Sequence, residues 1–207
     1  MEDRYVFALG YPIGFSFKDN VESYNVQLNE NIYPLSFLGA FVWMAALNGK
    51  QTKEEIFNNV IEQLQLKGYL LGKDYTVENL EFMYSELIAA FLLIEVSVDE
   101  NPFEFFEKNH SLRISRKGFG IGIDFDNIIV HEDGRDIKLD SFEYYLWQLA
   151  SESRTLEETY KDYSKSVALS MQKMGADVDA LMYRVDRSFM EGFINLYNKN
   201  LIYIVGI

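Results

Sequence analysis

The sequence predicts an α+β protein made of two tandem copies of one small module, in which a small antiparallel β-hairpin sheet precedes three helices. Three observations predict it. The first is that the chain repeats itself. Gly10-Tyr11-Pro12-Ile13-Gly14 returns as Gly118-Phe119-Gly120-Ile121-Gly122, Trp43 returns as Trp147, Thr52-Lys53-Glu54-Glu55 as Thr155-Leu156-Glu157-Glu158, and Leu92-Leu93 as Leu201-Ile202. Matched positions lie 103 to 109 residues apart, a period too long for a solenoid and suited to a duplicated domain. The second is bulk: 207 residues at 48% hydrophobic and 15% aromatic can fill two cores of about 100 residues each. The third is order, because in each half short β-rich stretches come first and helical periodicity follows. The expected domains are residues 1–100 and 107–207. Between them, Pro102, Phe103, Phe105 and Phe106 read as an aromatic plug, which implies that the domains dock.

The second copy is the clearer one. Gly122 to Asp126 and Ile128 to His131 are rich in β-formers and are separated by Asn127. Asp133-Gly134 follows, a hairpin signal because both residues tolerate positive φ. Ile137-Lys138-Leu139 returns as a third strand. Asp140 with Glu143 forms a capping box for a helix over Ser141–Ala150, and Thr155 with Glu158 forms another for a helix through about Ser166. A longer helix runs from Val178 to about Asn198, with Leu181, Val185, Phe189 and Phe193 on one stripe. Leu201 to Ile207 closes the chain as a short strand.

The first copy repeats this order. Phe15–Lys18 and Ser23–Leu28 flank an Asp19-Asn20 turn. The helix over Ser36–Leu47 is apolar nearly all round and should be buried, with Asn48-Gly49 ending it. Thr52 and Glu55 cap a helix through about Leu66, and Val77–Phe91 is the third helix.

Three helices with a small sheet form a winged-helix arrangement, here with the hairpin ahead of the helices. The stretch Ile137-Lys138-Leu139-Asp140, then Leu146-Trp147-Gln148-Leu149-Ala150, then Arg154-Thr155-Leu156-Glu157-Glu158-Thr159 resembles the leader-peptide recognition domain of ribosomally made peptide pathways, the pyrroloquinoline-quinone biosynthesis D-like family. Phe193 to Ile202 is similar to the end of that family's third helix, and Leu47 to Ile56 matches more weakly in the first copy. The resemblance implies tandem winged-helix-like domains that recognise a peptide without catalysis. An extended segment would add to the third strand and lie against the third helix. Carried onto the second copy, this nominates Arg135, Ile137 and Lys138 on the strand, with Tyr183, Arg184, Arg187 and Met190 on the helix. The same groove would equally suit the other domain or a second subunit of a homo-oligomer.

Composition narrows the chemistry. There is no cysteine, which removes disulfides, zinc–thiolate sites and thiol catalysis. Two histidines, His110 and His131, leave almost no material for a His-based triad or metal site. Asp124, Asp126, Glu132 and Asp133 cluster near a hairpin, but without the spacing of a calcium loop. The glycines at 118, 120 and 122 lead into strands and not into a helix, so they are not a dinucleotide loop. Neither enzyme activity, cofactor nor metal is expected. The acidic start Met1-Glu2-Asp3-Arg4 is unlike a signal peptide, the longest apolar run, Phe37 to Leu47, is too short to span a bilayer, and a cytoplasmic location is expected.

Charge separates the functional readings. Residues 1–104 hold 16 Asp/Glu against 6 Lys/Arg, a net of −10, and residues 105–207 hold 16 against 13, a net of −3. Binding a peptide or protein partner is the leading reading. A DNA-binding regulator is the alternative, because winged helices commonly bind DNA. The charge argues against nucleic acid, and Val77–Phe91 carries no Lys or Arg. An acidic inhibitor or immunity-type protein is the third reading.

Overall fold

The computed structural model describes residues 4–18, 21–47, 49, 51–69, 75–97, 108–124, 127–152, 154–172 and 178–206. The aromatic stretch 102–106, the Asp19-Asn20 turn, Asn48 and Asp126 lie outside the described residues. The chain divides into two compact units between Asp99 and Glu100.

The first unit runs β1 (Arg4–Ala8), β2 (Tyr11–Lys18), β3 (Val21–Leu28), β4 (Asn31–Leu35), α1 (Phe37–Leu47), β5 (Gln51–Thr52), α2 (Lys53–Leu66), α3 (Val77–Ala89) and β6 (Leu93–Ser97). The second repeats that order as β7 (Arg113–Arg116), β8 (Phe119–Asp124), β9 (Asn127–Glu132), β10 (Arg135–Leu139), α4 (Ser141–Leu149), β11 (Arg154–Thr155), α5 (Leu156–Gln172), α6 (Val178–Asn198) and β12 (Ile202–Gly206). The fold is α+β, built from repeated small modules.

Each unit holds two three-stranded antiparallel sheets, where the sequence suggests one. One is the expected meander, β2-β3-β4 and β8-β9-β10. The other places the first strand of the unit between two partners, β5-β1-β6 and β11-β7-β12. The reasons it escapes the sequence are physical. β5 and β11 are two residues long, and the run Val6–Leu9 is wholly buried, so it shows no alternation to read. β4 hides behind Pro34, which a strand accepts only at a sheet edge. That is where β4 lies. The end of α5 at Gln172, beyond the expected Ser166, lengthens that helix by more than a turn.

One node organises both cores. Trp43 donates its indole N–H to the Leu9 carbonyl at 3.0 Å, and Trp147 donates to Lys117 at 2.8 Å. The same residues donate their backbone N–H groups onward, Leu9 to Leu92 at 2.9 Å and Lys117 to Leu201 at 2.7 Å. Each node therefore joins the end of the first strand, the first helix and the approach to the last strand. The next residue is glycine in both copies, at φ +104° for Gly10 and +77° for Gly118. A Cβ at either would stand 2.6 Å from Val26 Cγ1 or from the His131 carbonyl. The glycines of the repeated motif thus serve a crowded bend.

Just beyond, the β2–β3 and β8–β9 registers slip at Ile13 and Ile121, a β-bulge at the same place in each copy. Capping boxes form at Thr52/Glu55 and Asp140/Glu143 as the sequence indicates, and another at Thr76/Asn79. α1 buries Leu38 through Trp43 and both Ala45 and Ala46, which explains its apolar character on every side. The α6 stripe Val185, Phe189 and Phe193 is buried. Each such side chain contributes about 2 kcal/mol of apolar burial.

Candidate functional site

In the first unit, β4 and the C-terminal half of α3 enclose a groove of about 280 Å³. Tyr33, Pro34 and Leu35 form the strand wall, Met83, Glu86, Leu87 and Ala90 the helix wall, and Ser36 and Gly39 the end. Gly39 is the third residue of α1, where it donates its N–H to the Ser36 hydroxyl at 3.2 Å. That hydroxyl also reaches Met83 Sδ across the groove at 3.2 Å. A capping box would place a glutamate at this third position. The glycine leaves it empty of side chain.

The strand wall is also a sheet margin, because β4 pairs with β3 alone among the described residues. The turn is two residues, Asn29-Glu30, with Asn29 at φ 55° and Leu28 facing Asn31. In such a hairpin the closing pair exchanges both hydrogen bonds and the pattern alternates from there. The Val26–Tyr33 and Tyr24–Leu35 pairs bond inward, so Ile32 and Pro34 direct their backbone groups outward. The margin offers the Ile32 N–H and the Ile32 and Pro34 carbonyls. Proline supplies no N–H.

The second unit has the same backbone here and a filled groove. The match is fixed by bonds. Ala90, Phe91 and Leu92 donate to Glu86, Ile88 and Leu87, as Lys199, Asn200 and Leu201 donate to Asn195, Tyr197 and Leu196. Phe91 and Asn200 share positive φ, 55° and 58°. Ala90 therefore corresponds to Lys199, and by the capping bonds Gly39 corresponds to Glu143. Lys199 Nζ meets the Glu143 carboxylate oxygens at 2.7 and 2.6 Å and donates to the Lys138 carbonyl at 3.2 Å. Lys138 is the outward-facing counterpart of Pro34. One unit thus plugs its own strand–helix groove, and the other leaves it open.

The residues nominated from sequence in the second copy separate into two places. Arg135, Ile137 and Lys138 stand on β10, a sheet margin, where Lys138 turns its ammonium to Asp124. Tyr183, Arg184 and Arg187 are exposed on α6, but they precede Lys199 by 12 to 16 residues, roughly 18–24 Å along a helix. Arg187 pairs with Glu191 at 2.8 Å, and Met190 is 7% exposed, in the core. The structure does not gather the strand set and the helix set into one groove. Position-by-position comparison of the two copies is the signal that points to the first: Gly39 and Ala90 stand against Glu143 and Lys199.

Other polar groups are structural in their surroundings. Tyr84 donates to Glu95 at 2.7 Å, and burial with that carboxylate raises its pKa. Tyr160 donates to the buried Asp186. His131 Nδ1 meets Asp136 at 2.7 Å on the exposed sheet face. Lys117, 6% exposed, lies against the Asn200 side chain and the Tyr203 ring, and burial pulls its pKa down to about 8. A 250 Å³ cleft between α1 and α2 is matched by one of 390 Å³ between α4 and α5. Among the described residues no three His, Asp or Glu side chains gather as a metal site. No described helix is long and apolar enough to cross a membrane.

No family model matches the chain, and no curated protein matches it. Among solved structures it is similar to PKMT2 from Rickettsia typhi, at 11% identity and a TM-score of 0.39, and to the same protein in complex with AdoHcy, at 11% and 0.36. Both alignments cover 97% of this chain and 42% of the other. The chain therefore spans less than half the length of the structures it matches.

Proposed function

We propose that this chain is a non-catalytic binding protein that captures an extended peptide or protein segment at the β4–α3 groove of its first unit. The segment would add to the outward edge of β4 and set alternate side chains into the groove. One observation carries this reading: the place that the second unit fills with Lys199 and Glu143 is open in the first, beside a strand edge with outward backbone groups. The order of strands and helices in each unit supports the winged-helix-like assignment, in which the third strand and third helix flank such a groove. The site assignment accordingly moves from the second copy to the first.

The test is to close the groove with the molecule's own plug. Gly39→Glu with Ala90→Lys rebuilds the second unit's ion pair in the first. A Cβ added at Gly39 would lie 3.2 Å from the Ser36 hydroxyl, with no positive φ, a contact that rotation of the hydroxyl relieves. Peptides selected from a displayed random seven-residue library on the wild-type chain should lose binding to the double variant. Peptides that bind both equally overturn the assignment.

A further inference from the structure

We infer that the open groove takes a basic side chain, so that the partner segment carries a lysine or arginine flanked by apolar residues. The inference rests on the proposed function and goes further, by giving the chemistry of the occupant.

The second unit shows how this groove holds a cation. Lys199 lays its side chain between the third strand and the first helix, and its ammonium sits on an outward strand carbonyl, that of Lys138, at 3.2 Å. The first unit keeps that carbonyl at Pro34 and, among the described residues, has no internal cation there, since Ala90 ends in a methyl. Its carboxylate has moved. Glu143 is replaced by Gly39, but Glu86 now lines the groove from the helix wall, where the second unit has neutral Asn195. Glu86 is exposed, and among the described residues it makes no ion pair.

Two further features favour a cation there. Glu86 and Ala90 belong to the last turn of α3 and the residue after it, where the helix dipole presents partial negative charge, and that turn has no basic residue. Residues 1–104 carry a net charge of −10, which steers basic segments toward this unit. The walls suit the stem as well as the head. Leu35, Met83 and Leu87 present apolar surface along which a lysine or arginine chain can lie while its charge reaches Pro34 O and Glu86. An acidic segment would meet Glu86 and the helix end with like charge.

The probe is the displayed random seven-residue library, followed by synthesis of a selected peptide with its basic residue kept or replaced by norleucine. Binding is measured by titration calorimetry at low and moderate salt. The expected result is enrichment of one Lys or Arg among apolar residues, with affinity falling about fivefold to tenfold for the norleucine peptide, as for a partly exposed ion pair. Glu86→Gln should produce a smaller loss for the basic peptide, about twofold to fivefold, because the Pro34 carbonyl remains, and none for the norleucine peptide. Because Glu86 is exposed, that variant tests the pairing without disturbing the core. Selected peptides that lack a cation, yet are lost when Gly39→Glu and Ala90→Lys close the groove, would overturn this inference and leave the binding reading intact. Peptides indifferent to that closure, or no enrichment at all, would overturn both.

Discussion

Trp43 and Leu9 are joined by one hydrogen bond, indole N–H to carbonyl over 3.0 Å, with both side chains sealed from solvent. Trp147 and Lys117 form the same bond in the second unit. Trp43→Phe leaves the Leu9 carbonyl without its donor and opens a void, and it should cost roughly 2–4 kcal/mol. Urea unfolding followed by circular dichroism measures it. A cost below about 1 kcal/mol would show that this bond does not hold the core together.

Lys117 stands where the first unit has Leu9, so Lys117→Leu is a substitution the fold already contains. Its pKa, pulled to about 8 from an ordinary 10.5 by burial, means the unfolded chain holds more protons between those values. Stability should therefore rise with pH through that window. At pH 7 the buried charge costs up to roughly 3 kcal/mol, after the partial relief given by the Glu132 and Asp133 carboxylates, and a leucine would forgo the contacts with Asn200 and the Tyr203 ring. Lys117→Leu is expected to gain about 1–2 kcal/mol at pH 7, and the gain should vanish by about pH 10.5. A gain independent of pH would refute the titration.

Lys199 compensates Glu143, whose side chain is 8% exposed, while its own is 33% exposed. Lys199→Met leaves a buried carboxylate beside the start of α4 and should destabilise the second unit by about 2 kcal/mol, discounted for the exposure of the lysine. Adding Glu143→Gln should restore most of it. A double-mutant cycle with no coupling would show the pair to be incidental.

Gly10→Ala and Gly118→Ala each force a Cβ to 2.6 Å from its neighbour at positive φ. Each should cost roughly 3 kcal/mol or prevent folding. Gly122→Ala, with nothing within 4 Å of its Cβ, should be tolerated. Thermal melts of the three variants check the contrast.

Legibility follows period and contrast. The duplication is readable because Trp43 and Trp147, the capping boxes and the glycine bends recur with nearly constant spacing. Pro12 amid the glycines hints at the bulges. What escapes are elements without a pattern: two-residue strands, and a first strand whose run from Val6 onward is buried on both faces. The sequence gives reason to expect a groove between third strand and third helix, but the cations on α6 point to the second copy. Helical rise carries Arg184 and Arg187 far from the Lys199 end of α6, a distance no spacing rule applied to the strand would reveal. Gly39 and Ala90 carry no chemistry of their own. Their meaning lies in what the other copy puts in the same positions.

The plug of the second unit also gives the molecule an internal blank. Two similar frameworks share one chain, one buffer and one concentration, with one groove vacant and one occupied. In a two-dimensional amide spectrum, a true ligand of the vacant groove should shift resonances of Tyr33, Leu35 and Ala90 while those of Ile137, Leu139 and Lys199 stay fixed. Effects of salt, pH or unspecific adsorption should move both sets together. Single titrations can thus be normalised residue by residue, without preparing a separate control protein.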